Sequence, residues 1–167
     1  LNGETGKVKL RKCAGRVADL RKVCSKDKKI STCGIGHTRW ATHGGVSDVN
    51  AHPHRNGDVL LVHNGIVENY EELKDHFMLH KELKSETDTE VVAAVLNRFY
   101  HGNPHEAICQ TVKYLKGTFA LVIMFVDQPD VIYAIRNVSP IVAAYNDNGT
   151  VLASDVAALA GTAERYM

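Results

Sequence analysis

At 167 residues, 44% hydrophobic and 23% charged, the chain has the length and composition of one globular domain, long enough to bury roughly 70% of its unfolded surface. A formal net charge of +1 gives no electrostatic basis for binding nucleic acid or an anionic membrane. No apolar run reaches the roughly 18 residues of a membrane span, and the start, Leu1-Asn2-Gly3-Glu4-Thr5-Gly6, lacks a signal-peptide core, so a cytoplasmic protein is expected.

The first predicted element is a strand from Gly6 to Arg11 with Val8 and Leu10 alternating. Val17, Leu20 and Val23 or Cys24 then fall at helical spacing over residues 16 to 24. A basic loop from Ser25 to Lys29 leads into a strand from Ile30 to Thr38. The basic residues of these segments, from Lys7 to Lys12 and from Arg21 to Lys29, have no interleaved aromatics for base stacking and read as a solvated face and a loop. Asp58 to His63 is a further strand, with Asn64-Gly65 as the turn into Ile66-Val67.

Asn69 with Glu72 reads as a capping pair opening a helix whose apolar face carries Tyr70, Leu73 and Phe77. Thr87 with Glu90 repeats the signature ahead of Val92, Val95, Leu96 and Phe99, which puts Asp88 in the first turn of a helix. Asn103-Pro104 opens a third helix through Ile108, Val112 and Leu115, closed by Gly117. Strands follow at Thr118 to Val126, Val131 to Arg136, Ile141 to Tyr145 and Thr150 to Ala153, with turns at Asp127 to Asp130 and Asn146 to Gly149. Strands, then helices, then strands predict packed layers of sheet and helix in a single domain.

Several residues carry chemical potential. Arg39 offers a planar fork suited to a small carboxylate, and Asp88 can meet an ammonium, the two charges a buried amino acid presents. The plainer alternatives are a surface arginine and a carboxylate stabilised by a helix N-terminus. His52-Pro53-His54, with His37, His43 and His63 in the same third of the chain, invites a metal reading. Pro53 argues against a central strand, and no acidic residue stands at ligand spacing, so structural or exposed histidines are expected and no metal. Cys13, Cys24, Cys33 and Cys109 have no CxxC spacing and read as free thiols, Cys33 half-buried or buried at a strand.

Four runs carry a resemblance: Gly36-His37-Thr38-Arg39-Trp40-Ala41-Thr42-His43-Gly44, Asn50-Ala51-His52-Pro53-His54, His63-Asn64-Gly65-Ile66 and Ser85-Glu86-Thr87-Asp88-Thr89-Glu90. Together they resemble the glutaminase (class II glutamine amidotransferase) domain of the isomerizing glutamine:fructose-6-phosphate aminotransferases, the glucosamine-6-phosphate synthases. Similarity continues through Gly15-Arg16-Val17, Leu115 to Val122, Ser139-Pro140 and Ala153-Ser154-Asp155. The Thr38 to His43 run is not shared in full by amidophosphoribosyltransferase or asparagine synthetase, which have the same plan.

The resemblance implies an α+β fold of the N-terminal nucleophile hydrolase type, an αββα layered sandwich, here a partial domain over residues 1–167 that lacks the first strand. It implies that Arg39, Thr42 and His43 hold the α-carboxylate of L-glutamine, that Asp88 holds the α-amino group, and that Trp40 gates an ammonia channel. It implies that the Asn64 side chain and the Gly65 N–H form an oxyanion hole, with no cofactor. The family's nucleophile is an N-terminal cysteine whose free α-amino group serves as base through water. Position 1 is Leu1, and internal Cys33, within Cys33-Gly34-Ile35, has no free amine, so the chain is expected to be inactive alone.

The implied partners are L-glutamine and a sugar isomerase module outside this sequence, in an enzyme that feeds UDP-N-acetylglucosamine synthesis. A homodimer is allowed, since a missing strand would expose a sheet edge. Between Phe77 and Ser85 the chain lacks the family's glycine turn and is one residue short, which bears on how Asp88 is presented. The reading from a different class is a non-catalytic binding module that keeps the glutamine pocket. A third, metal-dependent hydrolysis on the histidines, predicts bound metal.

Overall fold

The computed structural model describes residue 1 and residues 7–25, 31–147, 149–161 and 165–167. Its centre is an antiparallel sheet in the order β1 (His54–Asn56), β2 (Val59–Val67), β3 (Gly117–Phe125), β4 (Tyr133–Asn137). Alternation along β2 sends Val59, Leu61 and Val67 into one core with Phe119, Leu121, Ile123 and Phe125 of β3. The residues between them, Leu60 of β2 and Met124 of β3, join Leu1 in a smaller cluster flanked by Val8, Cys33 and Ile35. Both faces of the central pair are therefore covered, which explains an almost unbroken apolar run.

The larger core is closed by helices α2 (Tyr70–His76), α3 (Asp88–Phe99) and α4 (Pro104–Val112). In α3 every residue from Asp88 to Leu96 is buried, because the helix is packed against β1 and β2 and flanked by α2 and α4. Thr87 caps α3 by accepting the Glu90 N–H, and Asn103 caps α4 in the same way through Glu106 with Pro104 in the first turn. A second sheet, β5 (Val142–Asn146), β6 (Gly149–Ala153) and β7 (Arg165–Tyr166), runs in the order β6-β5-β7. Ile141, Leu152 and Ala153 face Val62, Ala120 and Val122 of the first sheet across a cavity of about 90 Å³. Helix, sheet and sheet are thus layered as expected. The early helix α1 (Val17–Cys24) forms at its predicted place but buries no residue.

Several expectations are corrected. Asn64-Gly65 is not a hairpin turn: β2 runs through both residues, with Asn64 opposite Ala120 and Gly65 opposite Phe119. Ile66 and Val67 do not fold back on Val62 and His63; they pair with Thr118 and Gly117, while Val62 and His63 pair with Val122 and Leu121 of the same distant strand. Gly65 holds φ +117°, and a Cβ there would lie 2.1 Å from the Thr118 carbonyl oxygen, so the position needs glycine for close approach rather than for a turn.

Among the described residues, 7–11 and 31–38 are assigned to no strand, although Cys33 and Leu1 exchange backbone hydrogen bonds. Gly6, Ile30 and the basic loop at 26–29 lie outside the described residues. Asn69 stands at the α2 N-cap but does not cap: its amide donates to Tyr114 O and accepts from Lys116 N, stitching α2 to the α4–β3 connection. Helix α4 stops at Val112, and Gly117 opens β3 rather than closing the helix.

The glycine-free exit from α2 has a clear solution. Met78 takes φ +53°, its N–H bonds Asp75 O, and the Leu79 N–H reaches back to Lys74 O. This is the Schellman pattern with methionine where glycine is usual, and Leu79 is sealed into the core beside Leu73.

Candidate active site

The segment from His37 to His43 crosses the C-terminal half of β2 and the N-terminus of α3. There Arg39, Trp40, Thr42, His43, Asn64, Gly65 and Asp88 line one cavity of about 280 Å³. Their elements explain the convergence. Asn64 and Gly65 are held by nine residues of register with β3, and Asp88 is fixed by the Thr87 cap at the start of a fully packed helix. The Glu90 carboxylate accepts the backbone N–H groups of Lys84 and Ser85, anchoring the connection that delivers α3. Despite the altered 77–85 segment, Asp88 is therefore rigidly presented to the cavity.

Asp88 is 3% exposed. Its carboxylate accepts the Val67 N–H at 3.0 Å, lies 3.3 Å from the Thr89 hydroxyl oxygen, and stands 3.6 Å from His63 Nδ1 and 4.0 Å from His43 Nδ1. Burial pushes the pKa of His63 down against the pull of Asp88, which favours the neutral imidazole. His43 rests on the Tyr70 ring, centroids 4.8 Å apart. Among the described residues, His43 Nδ1 and His63 Nε2 are buried nitrogens without a hydrogen-bond partner.

Arg39 closes its own loop. Its guanidinium donates to the carbonyls of Gly45 and Gly44, each at 2.9 Å, and to that of His43. Two of its five N–H groups remain for an acidic ligand. Trp40, at 89% exposure, stands on the rim with its ring free for a neighbouring surface.

Two sets of contacts around the cavity were not legible in the sequence. Asn50 and Glu86 brace the Gly44-Gly45 loop: Asn50 Nδ2 donates to Gly45 O and to Glu86 Oε2, while Glu86 Oε2 accepts the Gly45 N–H. The histidines form the other set, with His37 bonded to Asn64, His52 to His37 and Thr89, and His54 to Thr87. Burial drives the pKa of His37 down, that of His52 to about 2 and that of His54 to about 4, so these rings are neutral at neutral pH. Among the described residues no cluster of three or more histidine, cysteine or acidic side chains is arranged to hold a metal. The four cysteines are free thiols and none lines this cavity; Cys33 is half-buried, off any strand, with its thiol pKa raised by burial.

A family model described as "Glutamine amidotransferase domain" matches residues 37–161. Glutamine–fructose-6-phosphate aminotransferases (isomerizing) are similar: 44% identity over 162 residues in Aquifex aeolicus, covering 93% of this chain and 27% of that protein. The Bacillus subtilis enzyme is 43% identical over 157 residues, covering 92% and 26%. The chain thus spans about a quarter of the length of these relatives.

Among solved structures, the glutamine phosphoribosylpyrophosphate amidotransferase of B. subtilis, complexed with ADP and GMP, shares the fold with a TM-score of 0.61 at 24% identity over 74% of this chain and 28% of that one. A structure described as the allosteric regulatory enzyme of purine biosynthesis matches at 0.61 and 27% identity, with the same coverage. The layered fold is therefore that of the N-terminal nucleophile amidotransferases, and this chain belongs to the glutamine amidotransferase domain family, homologous to the glutaminase portion of glutamine–fructose-6-phosphate aminotransferases.

Proposed function

We propose that this domain binds L-glutamine and serves its hydrolysis to glutamate and ammonia, as part of an enzyme that aminates fructose 6-phosphate to glucosamine 6-phosphate. The observation that carries the reading is the convergence of Arg39 and Asp88 on one cavity with Asn64 and Gly65. Arg39, with Thr42 and His43, receives the α-carboxylate, and Asp88 receives the α-ammonium. The glutamine side chain then extends toward β2, where Asn64 Nδ2–H and Gly65 N–H donate to the oxygen that becomes negative on attack. Each such donor is worth about 2.7 to 4 kcal/mol in the transition state.

The attacking group in this reading is a cysteine thiolate with its own α-amine as base, supplied from outside these 167 residues, since Cys13, Cys24, Cys33 and Cys109 stand away from the cavity. Trp40 at the rim guides ammonia toward a sugar isomerase module. The cellular setting is the cytoplasm, the product route leads to UDP-N-acetylglucosamine, and a homodimer is an assembly this reading allows.

The reading from a different class is a module that holds glutamine without turning it over. Glutamate release is the test. The 167-residue chain should release none, and the same chain joined to an upstream segment beginning with cysteine should turn over glutamine. Release by the chain alone that survives replacement of all four cysteines overturns the thiol assignment, and silence of the extended chain favours the binding module.

A further inference from the structure

The two ends of the cavity are joined beneath its floor by a continuous row of hydrogen bonds. Asn64 Oδ1 lies 2.6 Å from His37 Nε2, His37 Nδ1 lies 2.8 Å from His52 Nδ1, and His52 Nε2 lies 2.8 Å from Thr89 Oγ1. Thr89 Oγ1 in turn lies 3.2 Å from His63 Nδ1 and 3.3 Å from Asp88 Oδ1. We propose that His37 and His52 are positioning residues that fix the orientation of the Asn64 side-chain amide through this row. The inference rests on the reading of Asn64 as a donor to the glutamine side chain.

The proton count makes the row directional. A neutral imidazole has one N–H and one bare nitrogen, and a hydroxyl has one proton to give. His37 and His52 face each other through Nδ1, so only one of the two can be protonated there. If Thr89 gives its proton to His52 Nε2, the shorter of its two acceptor contacts, then His52 carries its proton on Nδ1 and donates to His37 Nδ1. His37 must then carry its proton on Nε2 and donate to Asn64 Oδ1. With its oxygen occupied inside, Asn64 turns its NH₂ toward the cavity, the orientation an oxyanion donor needs. His63 Nδ1–H donates to Thr89 Oγ1 and starts the row.

Reversal of the row gives the opposite amide. Thr89 would give its proton to Asp88, His52 would be protonated on Nε2 and His37 on Nδ1, and Asn64 would present its carbonyl to the cavity. Nothing local to β2 distinguishes these two orientations, since the amide is nearly symmetric in shape. The histidines supply the distinction. The burial that keeps both rings neutral supports the count, because a second proton on either ring would place two N–H groups head to head.

The test reads tautomers directly, by two-bond ¹H–¹⁵N correlation of the ¹⁵N-labelled 167-residue chain at neutral pH and without ligand. The expected result is a proton on Nε2 of His37 and on Nδ1 of His52, and in Thr89→Val, which keeps shape but loses the hydroxyl, a changed His52 pattern that Thr89→Ser does not show. Protons on His37 Nδ1 and His52 Nε2 overturn the proposal.

Binding gives the second readout. His37→Phe should weaken L-glutamine by about fivefold while L-norvaline, the same amino acid skeleton without the side-chain amide, changes by less than about twofold, with glutamine restored by His37→Gln. Equal weakening of both ligands overturns a positioning role in favour of a purely structural one. Because the tautomers are read without ligand, a chain that shows them but binds neither amino acid supports the row and refutes the glutamine reading.

Discussion

The carboxylate of Asp88 accepts the backbone N–H of Val67 at 3.0 Å, tying the first turn of α3 to the last residue of β2. One carboxylate oxygen thus serves structure while the group as a whole faces the cavity. Asp88→Asn keeps an acceptor for Val67 and should cost less than about 1 kcal/mol of stability, whereas Asp88→Ala leaves a buried N–H unpaired and should cost about 1 to 3 kcal/mol. Urea unfolding of the two variants separates them. Equal losses would show that the Val67 bond contributes nothing.

Asn50 is 4% exposed and makes three contacts that join the Gly45 loop to Glu86. Asn50→Ala removes all three and should destabilise the domain by about 1 to 3 kcal/mol. It should also weaken glutamine binding, because the carbonyls of Gly44 and Gly45 that orient Arg39 lose their brace. Titration of the variant with L-glutamine checks this, and full affinity in a destabilised variant would separate the brace from the site.

The sequence carried the helices well, because Thr87, Asn103 and Pro104 act locally and the apolar spacing after each has one helical solution. The residues that the motif resemblance singled out, from Arg39 to Asp88, line one cavity. What the sequence could not carry was partner choice. Asn64-Gly65 satisfies turn chemistry as well as it satisfies a strand, and only the distant Thr118 to Ala120 segment decides between them. The segments around Val8 and Ile35 show the converse, since their alternation is present in the sequence but neither is assigned to a strand of either sheet among the described residues. The Asn50–Glu86 brace and the histidine row join residues tens of positions apart with no periodic signature, so spacing alone does not reveal them.

Among the described residues, two exposed non-glycine positions hold left-handed backbone: Met78 at φ +53° and Val138 at φ +70°. At Val138 the Ser139 N–H bonds Asn137 O at 2.9 Å, a tight three-residue turn that a β-branched side chain opposes. Met78→Gly and Val138→Gly should each stabilise the domain by about 1 kcal/mol, net of the added freedom of the unfolded chain. Thermal unfolding measures both, and destabilisation at either position would contradict the assigned backbone geometry.

His54 is 2% exposed and bonded to Thr87, with Lys12, Arg39 and Glu90 around it; burial first and Lys12 second depress its pKa from 6.5 to about 4. A histidine with a depressed folded pKa leaves the unfolded chain as the better proton acceptor. Its contribution is therefore fully present above pH 6.5 and lost as pH falls toward 4, about 3 kcal/mol across that window. His37, His52 and His63 act in the same direction. Urea midpoints should fall steeply with acidification in this window and less steeply in His54→Gln; equal slopes would refute the assignment.

Calorimetric titration of the 167-residue chain with L-glutamine decides whether Arg39 and Asp88 hold the two charged ends of one bound glutamine. Saturable one-to-one binding that Asp88→Asn abolishes, while the variant stays folded, is the expected result. A folded chain that takes up no glutamine, or a variant that binds it as well as the parent, would overturn the proposed pocket.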